Sequence, residues 1–509
     1  MAGDLIVKKR IPLLPLSVIS LDPLAALPLH RQLYEELRGA ILSGRLKAGT
    51  RLQSTREFAR ELGVSRNTVM SVYEQLLAEG YVEGVVGSGT FVARTLPEEM
   101  LEARTMTSRV ENRMSQRSPL SKRGRKLVAI LPNFGERVFG KPTPFRCATP
   151  DFMAFPFKIW TRLLAKHSRH PSHDLLGYVY PAGYPQLREA IAAYLRSSRA
   201  VKCEAEQVII VPGSQVALDI AIQMLLDPGD TALIEDPGFF GVRGVFARAG
   251  VRLVPAPVDE EGVSVNAVGK TSNSARMVYV TPSHQFPLGV TMSLARRLEL
   301  LEWARQTKAW IIEDDCDGEY RYSGRPIPSL QGLDGDQRVI YTGTFSKVMF
   351  PSLRIGYLVA PPDLVDAFVG ARVMTDLVSS TIPQAALADF IEEGHFARHL
   401  RRMRKLYAER QAYFVAAAKA ELSGLLEVQE SEAGMHLIGW LPRGVDDRAV
   451  ARAAWLHNLI TFPLSAFSMK PVARGALVLG YTAFNEREIR DSARRLRAAL
   501  SDDRGGSHY

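Results

Sequence analysis

The first ninety residues alternate short amphipathic helices with a glycine-rich hairpin. Apolar residues recur every four positions over residues 28–43, which predicts an amphipathic helix. Ser54 and Glu57 have the spacing of a capping box, so a second helix is predicted to begin at Ser54. A third helix is predicted to begin at Ser65, and residues 81–92 have the pattern of a β-hairpin. Three helices and a hairpin in so short a stretch predict one compact domain.

The periodicity changes twice further along the chain. It fades over residues 94–144, which we interpret as a mostly extended linker. Beyond the linker, helical patterns alternate with short β-rich runs, which is typical of an α/β domain with a largely parallel sheet. These runs are residues 208–211, 231–234, 277–280 and 310–312. The sequence therefore predicts a first domain over residues 1–93 and a second over 145–505, whose large subdomain runs to about 371 and whose small C-terminal subdomain begins at about 372.

Chain length bears on the number of domains, and the distribution of charge bears on the binding partner. With 509 residues the chain is too long for one ordinary core, which agrees with at least two domains. The net charge of +10 is uneven, since residues 96–146 hold 11 Lys and Arg against 5 Asp and Glu. A basic excess at the front and in this stretch points to a polyanionic partner. A solvated basic linker without a partner stays open for residues 96–146 taken alone.

Cysteine usage and hydropathy exclude several classes of protein. Cys147, Cys203 and Cys316 lie far apart and show no metal-ligand spacing. We therefore expect a reducing cytoplasm, with no disulfide framework and no metal site. No apolar run approaches the ~20 residues of a bilayer span, so no membrane partner is expected. Prolines interrupt the apolar start of the chain, which disfavours a secretory signal.

Polar donors cluster at the start of the third predicted helix. In a helix-turn-helix this position enters the major groove, and here it holds Ser65, Arg66, Asn67 and Thr68. Arg66 suits a bidentate contact with guanine, and the hydroxyls suit phosphate. The alternative is a small helical domain with an ordinary polar helix start.

Four segments closely resemble the winged-helix domain of GntR-type regulators. They are LQSTR at 52–56, LGVSRNTV at 62–69, EGY at 79–81 and GSGTFV at 87–92. The resemblance spans residues 28–92 and implies that the chain binds double-stranded operator DNA. The residues that match DNA contacts of the family are Arg56, Ser65, Arg66, Thr68 and Gly87.

A lysine flanked by hydroxyls marks the second domain. In the segment TGTFSK, Lys347 follows Thr344 and Ser346, and Arg354 lies seven residues further on. This set suits an aldehyde that carries a phosphate, because the amine forms a Schiff base while the hydroxyls and the guanidinium hold the phosphate. A lone lysine is usually a solvated surface charge, so the interpretation depends on companion residues elsewhere.

Three other segments supply such companions. Ser214 and Gln215 open a helix after a strand, where backbone N–H groups can hold a phosphate. Phe239 follows another strand and could stack on a flat ring. One of the carboxylates at residues 313–315, if buried, could keep a pyridine nitrogen protonated. Each feature also has a plainer explanation in core packing or an ordinary strand end.

In order and spacing this set resembles the fold-type-I aminotransferases over residues 145–500, and the whole chain resembles the MocR/GabR subfamily of GntR regulators. The implied fold is a winged helix-turn-helix (α+β) followed by an α/β domain of aminotransferase fold type I. The implied cofactor is pyridoxal 5'-phosphate (PLP), with Lys347 as its Schiff-base lysine and no further catalytic residue. The other implied cofactor contacts are Asp314 at the pyridine nitrogen, Phe239 on the ring, Ser214, Gln215, Thr344 and Arg354 around the phosphate, Tyr178 from the neighbouring subunit, and His284 in the loop facing the phenolic oxygen.

Three departures from the aminotransferase pattern favour sensing over turnover. Phe286 stands where aminotransferases carry asparagine, and Cys316 stands where an aromatic hydroxyl is usual. The arginine that grips the substrate α-carboxylate falls at Val478.

The sequence thus predicts a PLP-dependent transcription regulator that senses PLP or an amine, with little or no transaminase turnover. The resemblance also implies a homodimer. The alternative is an active aminotransferase with an accessory DNA-binding domain. A third possibility, a DNA-binding protein whose second domain only dimerises, conflicts with the joint presence of Lys347, Asp314 and Arg354.

Overall fold

The computed structural model describes residues 21–95, 120–130 and 142–505, apart from Leu24, Ala26, Val86, Val179, Arg325 and Pro326. The chain divides into two compact units, Met1–Pro119 and Leu120–Tyr509.

The first unit contains three helices and a two-stranded antiparallel sheet. Its elements are α1 Leu29–Leu42, α2 Thr55–Leu62, α3 Arg66–Ala78, β1 Val82–Val85 and β2 Gly89–Val92. The helix starts follow from local chemistry: Ser54 Oγ accepts a hydrogen bond from Glu57 N at 3.3 Å, and Ser65 Oγ accepts one from Thr68 N at 3.1 Å. These bonds satisfy N–H groups that a helix start leaves unpaired.

The apolar faces of these elements meet in one small core. It includes Leu33 and Leu37 from α1, Phe58 from α2, and Val69 and Leu76 from α3. Each of these side chains is almost fully buried. The predicted winged helix-turn-helix is therefore confirmed, with the hairpin as its wing.

A helix interrupts the stretch that the sequence analysis predicts to be mostly extended. This helix, α4 Lys122–Ile130, belongs to the second unit and packs against a later helix, residues 240–249. Ser121 Oγ accepts a hydrogen bond from Gly124 N at 3.0 Å and caps its start. So short a helix is marginal alone, and packing on a neighbour stabilises it, which periodicity cannot reveal. Residues 96–119 and 131–141 of the predicted linker lie outside the described residues.

The second unit is built on an eight-stranded sheet and a four-stranded sheet. The strands are β3 Val208–Val211, β4 Thr231–Asp236, β5 Arg252–Asp259, β6 Gly262–Val263, β7 Ala275–Val280, β8 Trp310–Asp315, β9 Val339–Thr344, β10 Gly356–Val359, β11 Glu427–Val428, β12 His436–Trp440, β13 Phe462–Pro463 and β14 Ala476–Gly480. The α-helices are α5 Phe157–Arg169, α6 His173–Leu176, α7 Pro185–Arg199, α8 Ser214–Leu225, α9 Phe240–Ala249, α10 Leu294–Thr307, α11 Leu330–Leu333, α12 Val365–Asp376, α13 Thr381–Glu392, α14 His395–Glu421, α15 Asp447–Leu456 and α16 Glu486–Gly505.

The large sheet has the strand order β3-β10-β9-β8-β7-β4-β5-β6. The strands β9, β8, β7, β4 and β5 are mutually parallel, and β10 is antiparallel to both of its neighbours. The strand β3 therefore runs in the same direction as β9. Because carboxyl ends of parallel strands share one edge of a sheet, the segments that follow β3, β4, β7, β8 and β9 converge there.

The four-stranded antiparallel sheet has the order β11-β12-β14-β13. One face of β14 contributes Leu477 and Leu479 to the main core, where they pack with residues of α14 and α16. The other face contributes Ala476 and Val478 to a separate apolar cluster. Among the described residues, none of the helices combines the length and the apolar character that a membrane span requires.

Candidate functional site

The start of α3 presents exposed polar groups. Arg66 and Asn67 are exposed, and Arg66 Nε donates a hydrogen bond of 3.4 Å to Thr55 Oγ1. The hydroxyls of Ser65 and Thr68 lie 2.8 Å apart and form part of the helix cap. The side chains of Ser65 and Thr68 thus shape the start of α3, while Arg66 and Asn67 lie beside them on the exposed surface.

Two more predicted DNA contacts lie on neighbouring elements. Arg56 is exposed on the first turn of α2, and Gly87 is exposed at the tip of the wing with φ 76°. The sequence analysis missed Arg51, whose guanidinium lies against the wing: a Cβ on Gly89 would lie 3.0 Å from Arg51 Nε. Gly89 also has φ 115°, which side chains rarely adopt, so glycine is required there.

In the second unit, Asp314 lies buried near the end of β8. Its Oδ2 accepts a hydrogen bond of 2.7 Å from Tyr279 Oη on β7. Its Oδ1 is buried without a hydrogen-bond partner in the described part of the chain. Burial raises the pKa of Asp314 to about 7, against an ordinary value of 3.8. A buried oxygen without a partner is costly, so this atom suits a donor supplied by a bound group, such as a protonated pyridine nitrogen.

A cradle of backbone and polar groups lies at the ends of β3 and β9. Gly213, with φ 145°, precedes α8, and a Cβ there would lie 3.2 Å from Arg354 Nη2. Thr344 Oγ1 accepts a hydrogen bond of 3.1 Å from Ser346 N. Ser346 Oγ is buried and has no partner among the described groups. The positive end of α8, the guanidinium and the hydroxyls together suit a phosphate.

The side chains of Phe239 and Gln215 lie together beside this cradle. A Cβ on Gly241 would lie 2.7 Å from the Phe239 ring and 2.8 Å from Gln215 Nε2. Phe239 also packs edge-on against Phe286, with ring centroids 6.0 Å apart. The ring of Phe239 is therefore held in place from two sides, as a stacking residue must be.

Lys347 follows β9 and is partly buried. Its Nζ lies 3.5 Å from the Ala148 carbonyl oxygen. Burial raises the pKa of the Cys147 thiol to about 11, and the nearby Lys347 ammonium partly offsets that effect. The charge of Lys347 also lowers the pKa of Asp314, although the opposite effect of burial is larger. The Lys347 amine and the Asp314 carboxylate are thus close enough to interact electrostatically.

His284 lies in a buried cluster that the sequence analysis found only in part. Its Nδ1 lies 3.0 Å from Asp317 Oδ2, and its ring lies 4.9 Å from that of His436. Its Nε2 is buried and unpartnered within the described residues. A Cβ on Gly434 would clash with the His284 ring, so glycine is required there.

The ligand atoms of His284, Asp317 and His436 lie within 4.8 Å of one another, a grouping that could hold a metal ion. His436 Nε2 is already bonded to the Pro287 carbonyl oxygen at 2.8 Å, and burial lowers the pKa of His436 to about 4. We interpret the cluster as a hydrogen-bonded network. Asp317 and His436 lie far from His284 in sequence, so no spacing signals the grouping.

Two more buried carboxylates surround the site, and sequence reasoning missed their partners. Glu235 accepts hydrogen bonds from Thr281 N and Oγ1 at 3.1 and 2.6 Å, yet burial still raises its pKa to about 7. Asp315 forms an ion pair with Arg199 at 2.5 Å, and both side chains are largely buried. These contacts hold the ends of β4, β7 and β8 in place.

Two predicted positions remain, Tyr178 and Val478, and they contrast in exposure. Tyr178 is 83 % exposed, so its side chain is available to a neighbouring molecule. Val478 is fully buried in the second apolar cluster, which also includes Ile438, Phe462 and Phe467. No cation therefore occupies the predicted carboxylate-clamp position.

The residues around Lys347 fit PLP. Three buried polar atoms, Asp314 Oδ1, Ser346 Oγ and His284 Nε2, have no partner within the described residues. They surround an amine, a held aromatic ring and an anion cradle, which are the groups that PLP requires.

Two family models match the chain. Residues 153–496 match aminotransferase class I and II, and residues 29–92 match bacterial regulatory proteins of the gntR family. The chain is 47% identical to the probable rhizopine catabolism regulatory protein MocR of Rhizobium meliloti, over 95% of the chain and 96% of that protein. It is 31% identical to the HTH-type pyridoxine biosynthesis transcriptional regulator PdxR of Corynebacterium glutamicum, over 77% of the chain and 80% of that protein.

A solved aminotransferase structure is similar to the second unit. The α-aminoadipate aminotransferase LysN of Thermus thermophilus, complexed with N-(5'-phosphopyridoxyl)-L-leucine, superposes with a TM-score of 0.69 at 28% identity. The match covers 75% of this chain and 97% of that one. These likenesses confirm the predicted fold and the PLP cofactor.

The raised pKa of Asp314 gives a testable dependence of stability on pH. Without cofactor, the folded chain keeps a proton that the unfolded chain releases between about pH 4 and about pH 7, so the free energy of unfolding falls as pH rises through that range. Asp314→Asn cannot ionise. We expect it to raise the melting temperature of the cofactor-free protein at about pH 8 and to change it little at about pH 4.

Asp317→Asn is the matched control with the opposite sign. Burial alone would raise the pKa of Asp317, but the charge of His284 and its hydrogen bond outweigh burial and hold that pKa below its ordinary value. Loss of this charge should therefore lower the melting temperature at about pH 8. An equal shift for Asp314→Asn at both pH values would contradict the assignment.

Proposed function

Because the chain belongs to the MocR/GabR subfamily of GntR-type regulators, we propose that its aminotransferase-like domain senses PLP, or an amine that reacts with PLP, and thereby changes how the protein holds its operator. The chain is a PLP-dependent, DNA-binding transcription regulator. The observation that carries the sensing proposal is a full set of cofactor-holding groups around Lys347 combined with a buried valine at position 478.

Each group around Lys347 has a proposed role toward the cofactor. When bound, PLP supplies an aldehyde that captures amines and a ring that accepts electrons. Lys347 would hold it covalently, Asp314 Oδ1 would accept a hydrogen bond from the protonated pyridine nitrogen, and Phe239 would stack on the ring. His284 faces the phenolic oxygen. The phosphate is held by Ser214, Gln215, Thr344, Ser346 and Arg354.

The proposed DNA interface is the exposed start of α3 together with the wing. Arg66 and Asn67 reach base edges in the major groove, while Arg56 and Gly87 contact the backbone. The caps formed by Ser65 and Thr68 fix the start of α3, and their hydroxyls lie where phosphate oxygens pass. Arg51 adds positive charge beside the wing.

We also propose that the protein works as a homodimer in the cytoplasm. Tyr178 would reach the cofactor phosphate of the partner subunit, which its 83 % exposure supports. The exposed Leu176 lies two residues before Tyr178, and the Thr381 hydroxyl donates to the neighbouring Leu175 carbonyl oxygen and joins this segment to α13. The wide spacing of the three cysteines in the sequence supports a reducing compartment.

An active aminotransferase is the second candidate function, since Lys347 and Asp314 are both present. Transamination needs the substrate carboxylate clamped so that the Cα–H bond stands perpendicular to the cofactor ring. Val478 cannot form that clamp, which favours a sensor.

Arg66→Ala tests the DNA interface. Loss of a bidentate base contact should cost about 1–3 kcal/mol on a duplex selected from a random library and should relax preference at one base pair. Fluorescence anisotropy on cognate and random duplexes measures both effects. Arg31→Ala, exposed on α1 outside the helix-turn-helix, is the control. Equal weakening on both duplexes would make Arg66 a phosphate contact instead.

Lys347→Ala tests the cofactor site. Borohydride should fix PLP covalently to the wild-type protein at Lys347, and peptide mass mapping should find no such adduct in the variant. DNA affinity should remain, because the winged helix has its own core, but its response to PLP should be blunted. Lys158→Ala, an exposed lysine on α5, should behave as wild type. A reducible adduct at another lysine in Lys347→Ala would show that the site is misplaced.

Turnover distinguishes the two candidate functions. We expect steady-state amino transfer from common α-amino acids to stay far below the ~1–1000 per second of typical enzymes. A coupled assay for the keto-acid product measures this rate. A rate within the enzymatic range would establish the aminotransferase.

A further inference from the structure

We infer that the effector is a primary amine without an acidic group next to its nitrogen, an inference that rests on the proposed amine-sensing function. Four observations carry it: the surroundings of Val478, the path from Val478 to Lys347, the partners of the nearby arginines, and the charge of the site.

Val478 lies in an apolar setting on the face of β14 that is turned away from the main core. In the sheet it pairs with Ile438 on β12 and with Phe462 on β13. Both neighbours belong to its buried cluster, together with Phe467. A carboxylate placed here would lose its hydration and find no hydrogen-bond donor on these side chains, so its binding would be disfavoured.

This apolar cluster continues to the cofactor site. Phe286 and Cys147 are partly buried and pack against it. Phe286 contacts the stacking residue Phe239 edge-on, and Cys147 precedes Ala148, whose carbonyl oxygen lies 3.5 Å from Lys347 Nζ. The wall that would face the body of a bound amine is therefore apolar along this side.

Three arginines near the site have other partners. The Arg243 guanidinium donates to the carbonyl oxygen of Phe467 and lies 3.5 Å from that of Ser468. Arg199 forms its ion pair with Asp315, and Arg354 lies against Gly213 in the phosphate cradle. Arg199 and Arg354 are therefore committed elsewhere. Arg243 keeps one buried donor, Nε, without a partner among the described groups, so the experiment includes a variant of it.

The electrostatic character of the site also disfavours an acidic effector. Asp314 and Asp317 are buried beside Lys347, and each feels its charge. Asp317 carries a negative charge because His284 holds its pKa low against the effect of burial. A carboxylate brought beside the Asp317 carboxylate in this low-dielectric region would be repelled, while an uncharged body would not.

Three ligands that share one side chain test the inference: leucine, leucinamide and isopentylamine. Each is titrated into the PLP-loaded full chain, and the shift of the cofactor's visible absorption band gives the dissociation constant. We expect leucinamide, which keeps the bulk of leucine without its charge, and isopentylamine to bind at least about tenfold more tightly than leucine. Equal or tighter binding of leucine would overturn the inference and leave amine sensing intact.

Two variants at position 478 isolate the clamp. Val478→Arg should shift the preference toward leucine by about tenfold or more, because a bidentate ion pair becomes available. Val478→Met, an uncharged side chain that is also longer than valine, should keep the wild-type order. If Val478→Arg does not fold, the wild-type comparison still decides. Arg146→Ala and Arg243→Ala test two nearby arginines: tight wild-type binding of leucine that is lost in either variant would place a clamp at that arginine and refute the inference.

The affinity for a selected duplex, measured on the same samples, separates failure of amine binding from failure of DNA binding. If none of the three ligands moves the band although PLP is bound, both amine sensing and this inference are wrong, while DNA binding by the regulator stands by itself.

Discussion

Carboxylates buried side by side at one edge of the large sheet set the main constraint on the second unit. They are Glu235, Glu313, Asp314, Asp315 and Asp317. Each buried charge costs several kcal/mol unless hydrogen bonds or an opposite charge compensate it. Glu235 is compensated by a hydrogen bond from Thr281, Asp315 by an ion pair with Arg199, and Asp317 by its contact with His284. Asp314 Oδ2 accepts a hydrogen bond from Tyr279, whereas its Oδ1 is buried without a partner in the described residues. The proposed cofactor site is organised around Oδ1.

Aminotransferases combine two tasks, which are holding the cofactor and aligning the substrate. Holding the cofactor requires an amine, an anion cradle and a stacking ring, and these come from the ends of β3, β4 and β9. Aligning a substrate requires a cation from the small sheet, and β14 supplies Val478 instead. The proposed function keeps the first task without the second. A sensor needs the cofactor site to be occupied, and it does not need a fast reaction there.

Local and long-range features differed in how well the sequence predicted them. The caps at Ser54 and Ser65 rest on contacts three residues apart, so the sequence analysis placed α2 and α3 closely. The strands and the PLP fold were predicted from alternation and motif order, and the comparisons confirm the fold. The cluster around His284 joins it to Asp317, 33 residues away, and to His436 on the small sheet, so it has no sequence signal. The individual cofactor and DNA contacts stay predictions.

The packing of α4 on α9 has a mechanical consequence. The helix α9 begins directly after Phe239, the residue proposed to stack on the cofactor, and α4 lies at the start of the second unit, toward the DNA-binding unit in the chain. A ten-residue helix is about 15 Å long, so a tilt of about 10° moves its far end by about 2–3 Å. Shifts of this size are enough to switch packed interfaces. A displacement of Phe239 that tilts α9 is therefore passed by direct packing to α4.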